Sequence, residues 1–213
     1  NEGRYLTPHQ VFSLLLLYLV EEKNLRGGVV KTVSLGYQPE RIAREFNLPL
    51  DEVPVGFKYV CDKMQEKDIL FGGEESGGYG FRGYLMERDG ILSALFFVEM
   101  ITRTGSPLSA ILKQMEDRFG ASFFKRIDFA EAKVNKPQMI KKLSSSSALT
   151  LGGIPIRWIK TIDGVKFVME DDSWLLIRPS GTEPKVRVYA EASSQDQLDR
   201  LIQEGVKMAR EAV

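Results

Sequence analysis

The sequence RPSGTEPK at residues 178–185 concentrates groups that can bind a phosphate dianion. Arg178 offers a planar fork of N–H donors that matches phosphate oxygens. The hydroxyls of Ser180 and Thr182 can donate, and a turn at Gly181 lets backbone N–H groups converge on one point. The residue types alone leave a second interpretation open, in which the segment is a tight turn between two antiparallel strands and the arginine is solvated.

A glycine-rich segment, GGEESGGYGFRG at residues 72–83, is the second candidate site. It follows a short predicted strand, and α/β sheets bind ligands beyond the carboxyl ends of their strands. The two carboxylates of Glu74 and Glu75 and the hydroxyl of Ser76 can bind vicinal sugar hydroxyls, because glycine neighbours let the backbone come close to a ligand. A flexible surface loop is the alternative. A metal site is disfavoured, because Glu74 and Glu75 point apart in an extended loop and no Asp or His cluster joins them.

Lys58 is the third candidate, since it lies at the predicted start of a helix. A positive charge there opposes the helix dipole, which favours a role near an anionic substrate. An ordinary exposed lysine is the alternative. His9 is the only histidine and is predicted to be structural or solvated, so a Ser–His–Asp triad is not expected.

Composition excludes several classes of partner. The 29 basic residues equal the 29 acidic ones, so no overall field attracts nucleic acid or an anionic membrane, and any anion must be held by local geometry. The longest apolar run, residues 11–20, is too short to span a bilayer and is predicted to be a buried helix. Cys61 is the only cysteine, which excludes an internal disulfide and fits the reducing cytoplasm.

Residues 1–120 are predicted to form an α/β sandwich domain, with a mixed sheet and helices on both faces. Strands are expected at residues 29–35 and 68–71, with a short extended piece at 50–55. A capping box, TPHQ at residues 7–10, predicts the start of the first helix. The predicted helices span residues 8–23, 39–46, 57–67, 90–102 and 108–119. Strands that alternate with helices indicate an α/β layer.

Residues 121–213 are predicted to form a small α+β domain, with an antiparallel sheet packed on helices. The pair Asp163-Gly164 predicts a β-hairpin, and two further strands flank residues 178–185. A final helix at residues 194–212 carries an apolar face that can cover the sheet. The domain boundary is expected near Gly120.

Two segments in this order and spacing, GEESGG at 73–78 and RPSGTEP at 178–184, resemble the sugar-binding and phosphate-binding loops of the α-D-phosphohexomutases. That superfamily includes phosphoglucomutase, phosphomannomutase and phosphoglucosamine mutase. VPVGFKY at 53–59, ERDGI at 87–91 and the final helix also fit, so the resemblance covers nearly the whole chain.

Members of the family have four domains, and this chain is similar to the third and fourth. The sequence contains neither the phosphoserine loop of the first domain nor the Asp-x-Asp-x-Asp Mg²⁺ loop of the second. The chain is therefore expected to be the C-terminal half of a longer protein, to contain no metal site and to show no mutase turnover by itself. Its expected partners are hexose phosphates and the missing N-terminal domains.

The resemblance implies that the parent interconverts hexose 1-phosphate and hexose 6-phosphate through a phosphoserine, Mg²⁺ and a hexose 1,6-bisphosphate intermediate. It implies that Glu74 and Ser76 bind the sugar hydroxyls and that Lys58 is a candidate general acid or base. The residues implied to hold the non-reacting phosphate are Arg178, Ser180, Gly181 and Thr182.

Three departures from the family pattern leave the sugar open between glucose, mannose and glucosamine. The segment Ser34-Leu35-Gly36-Tyr37 lacks the Thr/Ser-rich pattern expected there. Gly78 stands where some bacterial members carry a histidine, and Tyr84 stands where many relatives have the histidine of Arg-Gly-His. Other functions also stay open at this point: a stand-alone phosphosugar-binding or regulatory module, a hexose-bisphosphate synthase, and a structural remnant that binds nothing.

Overall fold

The computed structural model describes residues 3, 5–131, 134–180 and 183–213. The chain divides into two compact units, Asn1–Gly120 and Ala121–Val213. Among the described residues, no helix is both long enough and apolar enough to cross a bilayer.

The first unit contains a four-stranded mixed sheet with the strand order β2-β1-β3-β4. β1 is parallel to both β2 and β3, and β4 is antiparallel to β3. Every residue of β1 and β3 is buried, as expected for parallel strands that are covered on both faces. The strands are β1 (Gly28–Thr32), β2 (Leu50–Val53), β3 (Ile69–Gly73) and β4 (Tyr79–Phe81).

Helices cover both faces of this sheet, which confirms the predicted α/β sandwich. α3 packs with Val30, Val53 and Ile69 on one face, and the larger core on the other face contains residues of the remaining helices. The predicted capping box starts α1, and α1 continues directly into a π-helical segment, Tyr18–Glu22. The helices are α1 (Pro8–Leu17), α2 (Gln38–Glu45), α3 (Phe57–Glu66), α4 (Gly90–Thr104) and α5 (Leu108–Phe119).

Two local predictions for the first unit are wrong. The strand predicted at residues 29–35 ends at Thr32, because the chain then turns and the Leu35 N–H donates to the Thr32 carbonyl. The predicted loop at residues 72–83 contains the end of β3 and the whole of β4. Its glycines argue against a strand on propensity alone, but they fill a packing need: a Cβ at Gly72 would lie 2.6 Å from Val60 Cγ1.

The second unit contains a six-stranded antiparallel sheet with the order β5-β10-β9-β8-β7-β6. β7 to β10 form the predicted meander, and the predicted Asp163-Gly164 hairpin joins β7 to β8. The strands are β5 (Phe123–Ala130), β6 (Thr150–Leu151), β7 (Ile154–Lys160), β8 (Val165–Met169), β9 (Trp174–Pro179) and β10 (Lys185–Ala192).

Two helices, α6 (Lys136–Ser144) and α7 (Gln195–Ala212), pack against this sheet and confirm the predicted α+β arrangement. α7 buries Leu198, Leu201 and other apolar residues of its inner face. It approaches the sheet so closely that a Cβ at Gly205 would lie 2.4 Å from Leu175 Cδ1. α7 therefore packs directly on the sheet.

Candidate functional site

A tight β-turn at residues 74–78, here called the glutamate hairpin, joins β3 to β4. The Glu74 N–H donates to the Gly78 carbonyl at 3.0 Å, and the Gly77 N–H donates to the Glu74 carbonyl at 3.1 Å. Gly77 has a φ of +92°, a conformation that favours glycine. The segment is therefore a hydrogen-bonded turn at the carboxyl edge of the parallel strands, where ligands of α/β sheets bind.

The Glu74 side chain is buried, with 5% of the residue exposed. It accepts hydrogen bonds from the Gly56 N–H and from the exposed Ser76 side chain. Burial raises the pKa of Glu74, and the charge of Glu75 adds to the rise, whereas Arg88 and the two hydrogen bonds oppose it. The result is a fixed acceptor whose pKa lies above that of an ordinary glutamate.

Glu75 is also buried, but it faces a different partner. Its Oε2 accepts a hydrogen bond of 2.5 Å from the Ser34 hydroxyl. Because Glu74 and Glu75 bind different groups, they do not converge on one ion. Within the described residues, no group of three or more His, Cys, Asp and Glu side chains is arranged to hold a metal ion. These residues therefore do not fit a Mg²⁺ site.

Lys58 lies in the first turn of α3 and is exposed, with Nζ 4.7 Å from the centre of the Tyr59 ring. α3 is capped by Gly56, whose N–H donates to Glu74. The fold thus brings the start of α3 and the glutamate hairpin to the same edge of the sheet. Three of the predicted residues, Lys58, Glu74 and Ser76, belong to this edge.

Arg88 is a neighbour of Glu74 that the sequence analysis did not single out. A Cβ at Gly78 would lie 2.4 Å from Arg88 Cδ and 3.4 Å from Glu74 Oε2. The guanidinium carbon of Arg88 lies 5.5 Å from the centre of the Phe57 ring. Glycine at position 78 therefore makes room for the stem of this arginine. The only hint in the sequence was the glycine itself.

Tyr84 does not lie beside Glu74. It is 57% exposed, and it lines a shallow cavity with Asp68 and Ile69, at the start of β3. Glu74 follows the opposite end of the same strand. Tyr84 and Glu74 therefore lie at opposite ends of β3.

In the second unit, Arg178 lies near the end of β9 and is only 9% exposed. Its Nε donates to Asp163 Oδ2 at 2.6 Å. The β7–β8 hairpin that carries Asp163 packs directly on β9, since a Cβ at Gly164 would lie 2.4 Å from the Ile177 carbonyl oxygen. The alternative of a solvated arginine is wrong, because this guanidinium is buried and paired.

Residues 178–185, here called the arginine turn, are closed by backbone and side-chain hydrogen bonds. The Ser180 N–H donates to the Lys185 carbonyl at 2.8 Å, and the Ser180 hydroxyl accepts from the Glu183 N–H at 3.3 Å. Since Ser180 Oγ accepts here, its proton remains able to donate to a ligand. Gly181 and Thr182 lie outside the described residues, and their roles stay predictions.

Arg187 is a second arginine that the sequence analysis missed. It lies directly opposite Arg178 in the β9–β10 register, so both side chains leave the same face of the sheet. Its Nη2 donates to Glu183 Oε2 at 2.9 Å, and its Nε lies 3.6 Å from Asp128 Oδ2. Only the pairing of the strands places this guanidinium beside the arginine turn, which is why spacing in the sequence did not indicate it.

The chain thus combines an α/β domain, which carries the glutamate hairpin at its sheet edge, with an α+β domain in which Arg178 and Arg187 lie opposite each other on adjacent strands. Family profiles match both units. "Phosphoglucomutase/phosphomannomutase, alpha/beta/alpha domain III" matches residues 7–119, and "Phosphoglucomutase/phosphomannomutase, C-terminal domain" matches residues 109–207. The chain belongs to the phosphoglucomutase/phosphomannomutase family.

Relatives and solved structures agree with this assignment. The chain is 33% identical to the phosphoglucomutase of Komagataeibacter xylinus over 89% of its own length and 38% of that protein. It is 27% identical to the phosphoglucosamine mutase of Rhizobium rhizogenes, over 94% of this chain and 40% of the relative. A putative phosphomannomutase from Thermus thermophilus superposes with a TM-score of 0.78 at 31% identity, covering 96% of this chain and 41% of that one. The chain thus spans about two-fifths of the length of these proteins.

Proposed function

We propose that this chain is the substrate-recognition half of a phosphohexomutase that interconverts hexose 1-phosphate and hexose 6-phosphate. The observation that carries the proposal is the buried guanidinium of Arg178, held at a strand end beside Ser180 and opposite Arg187. A buried cation with oriented donors suits a doubly charged phosphate group.

The arginine turn would hold the phosphate that does not react. Among the described residues, Asp163 is the acceptor found for Arg178, and it takes only Nε. The two terminal amino groups therefore remain for phosphate oxygens, with the Ser180 hydroxyl as a further donor. Gly181 and Thr182 would add donors to the same anion.

The glutamate hairpin would bind the sugar. Ionised Glu74 accepts hydrogen bonds from ring hydroxyls, and Ser76 can both donate and accept. Such a pair can serve a hexose phosphate in either orientation, as a mutase requires when its intermediate turns around. Lys58 would act as a general acid or base on the reacting oxygen.

The phosphoserine and Mg²⁺ of the reaction would come from the part of the parent outside this chain, so we expect no turnover from these 213 residues alone. An uncovered apolar stripe on α4 supports a missing partner domain. Ile91, Leu95 and Val98 are 79%, 58% and 60% exposed, and their spacing puts them on one helix face. We propose that the remaining domains of the parent cover this stripe, and that the parent is cytoplasmic and uses the hexose 1,6-bisphosphate as its intermediate.

Isothermal titration of the chain with glucose 1-phosphate tests the proposal. We expect measurable binding by the wild-type chain and its loss in Arg178→Gln. Arg157→Gln is the matched control, since Arg157 lies in β7 of the same sheet and pairs with Asp172. Equal affinities for wild type and Arg178→Gln would contradict the proposal.

A further inference from the structure

Two segments meet at the carboxyl edge of the first sheet: the turn that follows β1 and the glutamate hairpin that follows β3. They are neighbours because β1 and β3 are adjacent and parallel, with Lys31 opposite Gly73. The only described hydrogen-bond donor to Glu75 comes from this turn. It is the hydroxyl of Ser34, a residue with no exposed surface, at 2.5 Å.

The turn after β1 is stabilised by the buried ammonium group of Lys31. Lys31 Nζ donates to the Leu35 carbonyl at 3.0 Å and pairs with Glu40 at 2.8 Å and Glu52 at 2.9 Å. Burial lowers the pKa of Lys31, but the two carboxylates more than offset this effect, so the pKa is raised and the charge persists. The turn that carries Ser34 is therefore tied to β1 by the Lys31 side chain.

We infer that Ser34 is a positioning residue for sugar binding: its hydroxyl anchors the buried carboxylate of Glu75 and thereby fixes the glutamate hairpin. Glu75 lies between Glu74 and Ser76, so its anchor sets where both flanking side chains project. A buried carboxylate that loses its donor pays a desolvation penalty, which favours opening of the hairpin toward water. This inference rests on the proposed function for its link to sugar.

The anchor predicts a local effect on the hairpin. Ser34→Ala is the test, and Ser13→Ala is the matched control, because Ser13 is equally buried but its hydroxyl binds the His9 carbonyl of its own helix, at 2.9 Å. In Ser34→Ala we expect hydrogen exchange of the Glu74 and Gly77 amides to accelerate about tenfold relative to the slowest amides of β1. Equal exchange at these amides in the two variants would overturn the inference.

Ligand binding distinguishes a positioning role in sugar binding from a purely structural role. In Ser34→Ala the affinity for glucose 1-phosphate should fall several-fold, while the affinity for inorganic phosphate, which needs only the arginine turn, stays unchanged. A loosened hairpin with unchanged glucose 1-phosphate affinity would overturn the positioning role.

If Ser34→Ala fails to fold, Glu75→Gln tests the same contact from the acceptor side, because the amide keeps the shape of the side chain and loses its charge. Unchanged hydrogen exchange of the hairpin amides in that variant would overturn the inference.

The outcomes separate this inference from the proposed function. If the wild-type chain binds no glucose 1-phosphate but Ser34→Ala still loosens the hairpin, the proposed function fails and the anchor is supported. If the wild-type chain binds and Ser34→Ala changes nothing, the anchor fails and the proposed function stands.

Discussion

The glutamate hairpin of the first unit and the arginine turn of the second both fix a charged group at the end of a strand, but the signs are reversed. Glu74 is a buried anion held by the donors of Gly56 and Ser76. Arg178 is a buried cation held by the carboxylate of Asp163. Each charge is oriented by its protein partner before a ligand arrives, which lowers the cost of ordering it on binding. One unit is built to accept hydrogen bonds and the other to donate them.

The largest change in ligand affinity is expected for the arginine turn, which donates hydrogen bonds. Arg178→Gln should reduce the affinity for inorganic phosphate about 100-fold, since a charge-assisted hydrogen bond contributes up to about 3 kcal/mol. Calorimetric titration measures the change. Arg157→Gln should bind phosphate as the wild type does. A loss of less than about threefold in Arg178→Gln would show that another group holds the anion.

The glutamate hairpin, which accepts hydrogen bonds, should lose affinity only for the sugar phosphate when its charge is removed. Glu74→Gln should weaken glucose 1-phosphate binding about tenfold, as expected for one lost charged hydrogen bond, and leave inorganic phosphate binding unchanged. Glu66→Gln is the control, because Glu66 is a surface residue that pairs with Lys63. An equal loss of affinity for glucose 1-phosphate and inorganic phosphate in Glu74→Gln would contradict the assignment of sugar binding to the first unit and phosphate binding to the second.

Stability should also distinguish the two charges, through pH. The pKa of Glu74 is raised in the folded protein, first by burial and then by Glu75, against Arg88, the Gly56 N–H and Ser76. A raised carboxyl pKa contributes stability that is complete below the ordinary glutamate value of about 4.3, and that is lost as the pH rises through the folded value. The wild type should therefore lose stability relative to Glu74→Gln between these two pKa values.

Urea unfolding at several pH values, followed through amide signals of the first unit, measures this difference. At neutral pH Glu74→Gln should be more stable than the wild type although it binds sugar phosphate less well. This is expected when function requires a buried charge that costs stability. A stability difference that does not change with pH would refute the assigned environment of Glu74.

The smallest effect is expected at Lys58. Its side chain is exposed and contacts the Tyr59 ring, so Lys58→Met should change the affinity for glucose 1-phosphate less than about twofold. Lys63→Met on the same helix is the control. A large loss of affinity in Lys58→Met alone would make this lysine part of the binding contacts rather than a proton donor.

The parts of the fold that sequence could predict are those set by local chemistry. The capping box of α1 and the Asp163-Gly164 hairpin each depend on a few adjacent residues, and both were predicted correctly. The end of β3 and the whole of β4 were missed because glycines such as Gly72 and Gly80 suit a strand only when neighbouring side chains occupy the space beside them.

The candidate site shows the same limit. Residues within the two loops could be named from their types, because arginine, glutamate and serine carry their chemistry with them. Arg187 and Arg88 could not, since cross-strand register places the first beside Arg178 and the packing at Gly78 places the second beside Glu74. The hydrogen bond from Ser34 to Glu75 joins residues 41 positions apart, and only the parallel pairing of β1 and β3 brings them together.

The most direct test of the account follows backbone amide signals of the 213-residue chain during titration with glucose 1-phosphate. If the arginine turn binds the phosphate, the Ser180 and Glu183 amides shift saturably in the wild type and do not shift in Arg178→Gln. Shifts that persist in Arg178→Gln, or that appear only elsewhere in the chain, would contradict phosphate binding by the arginine turn.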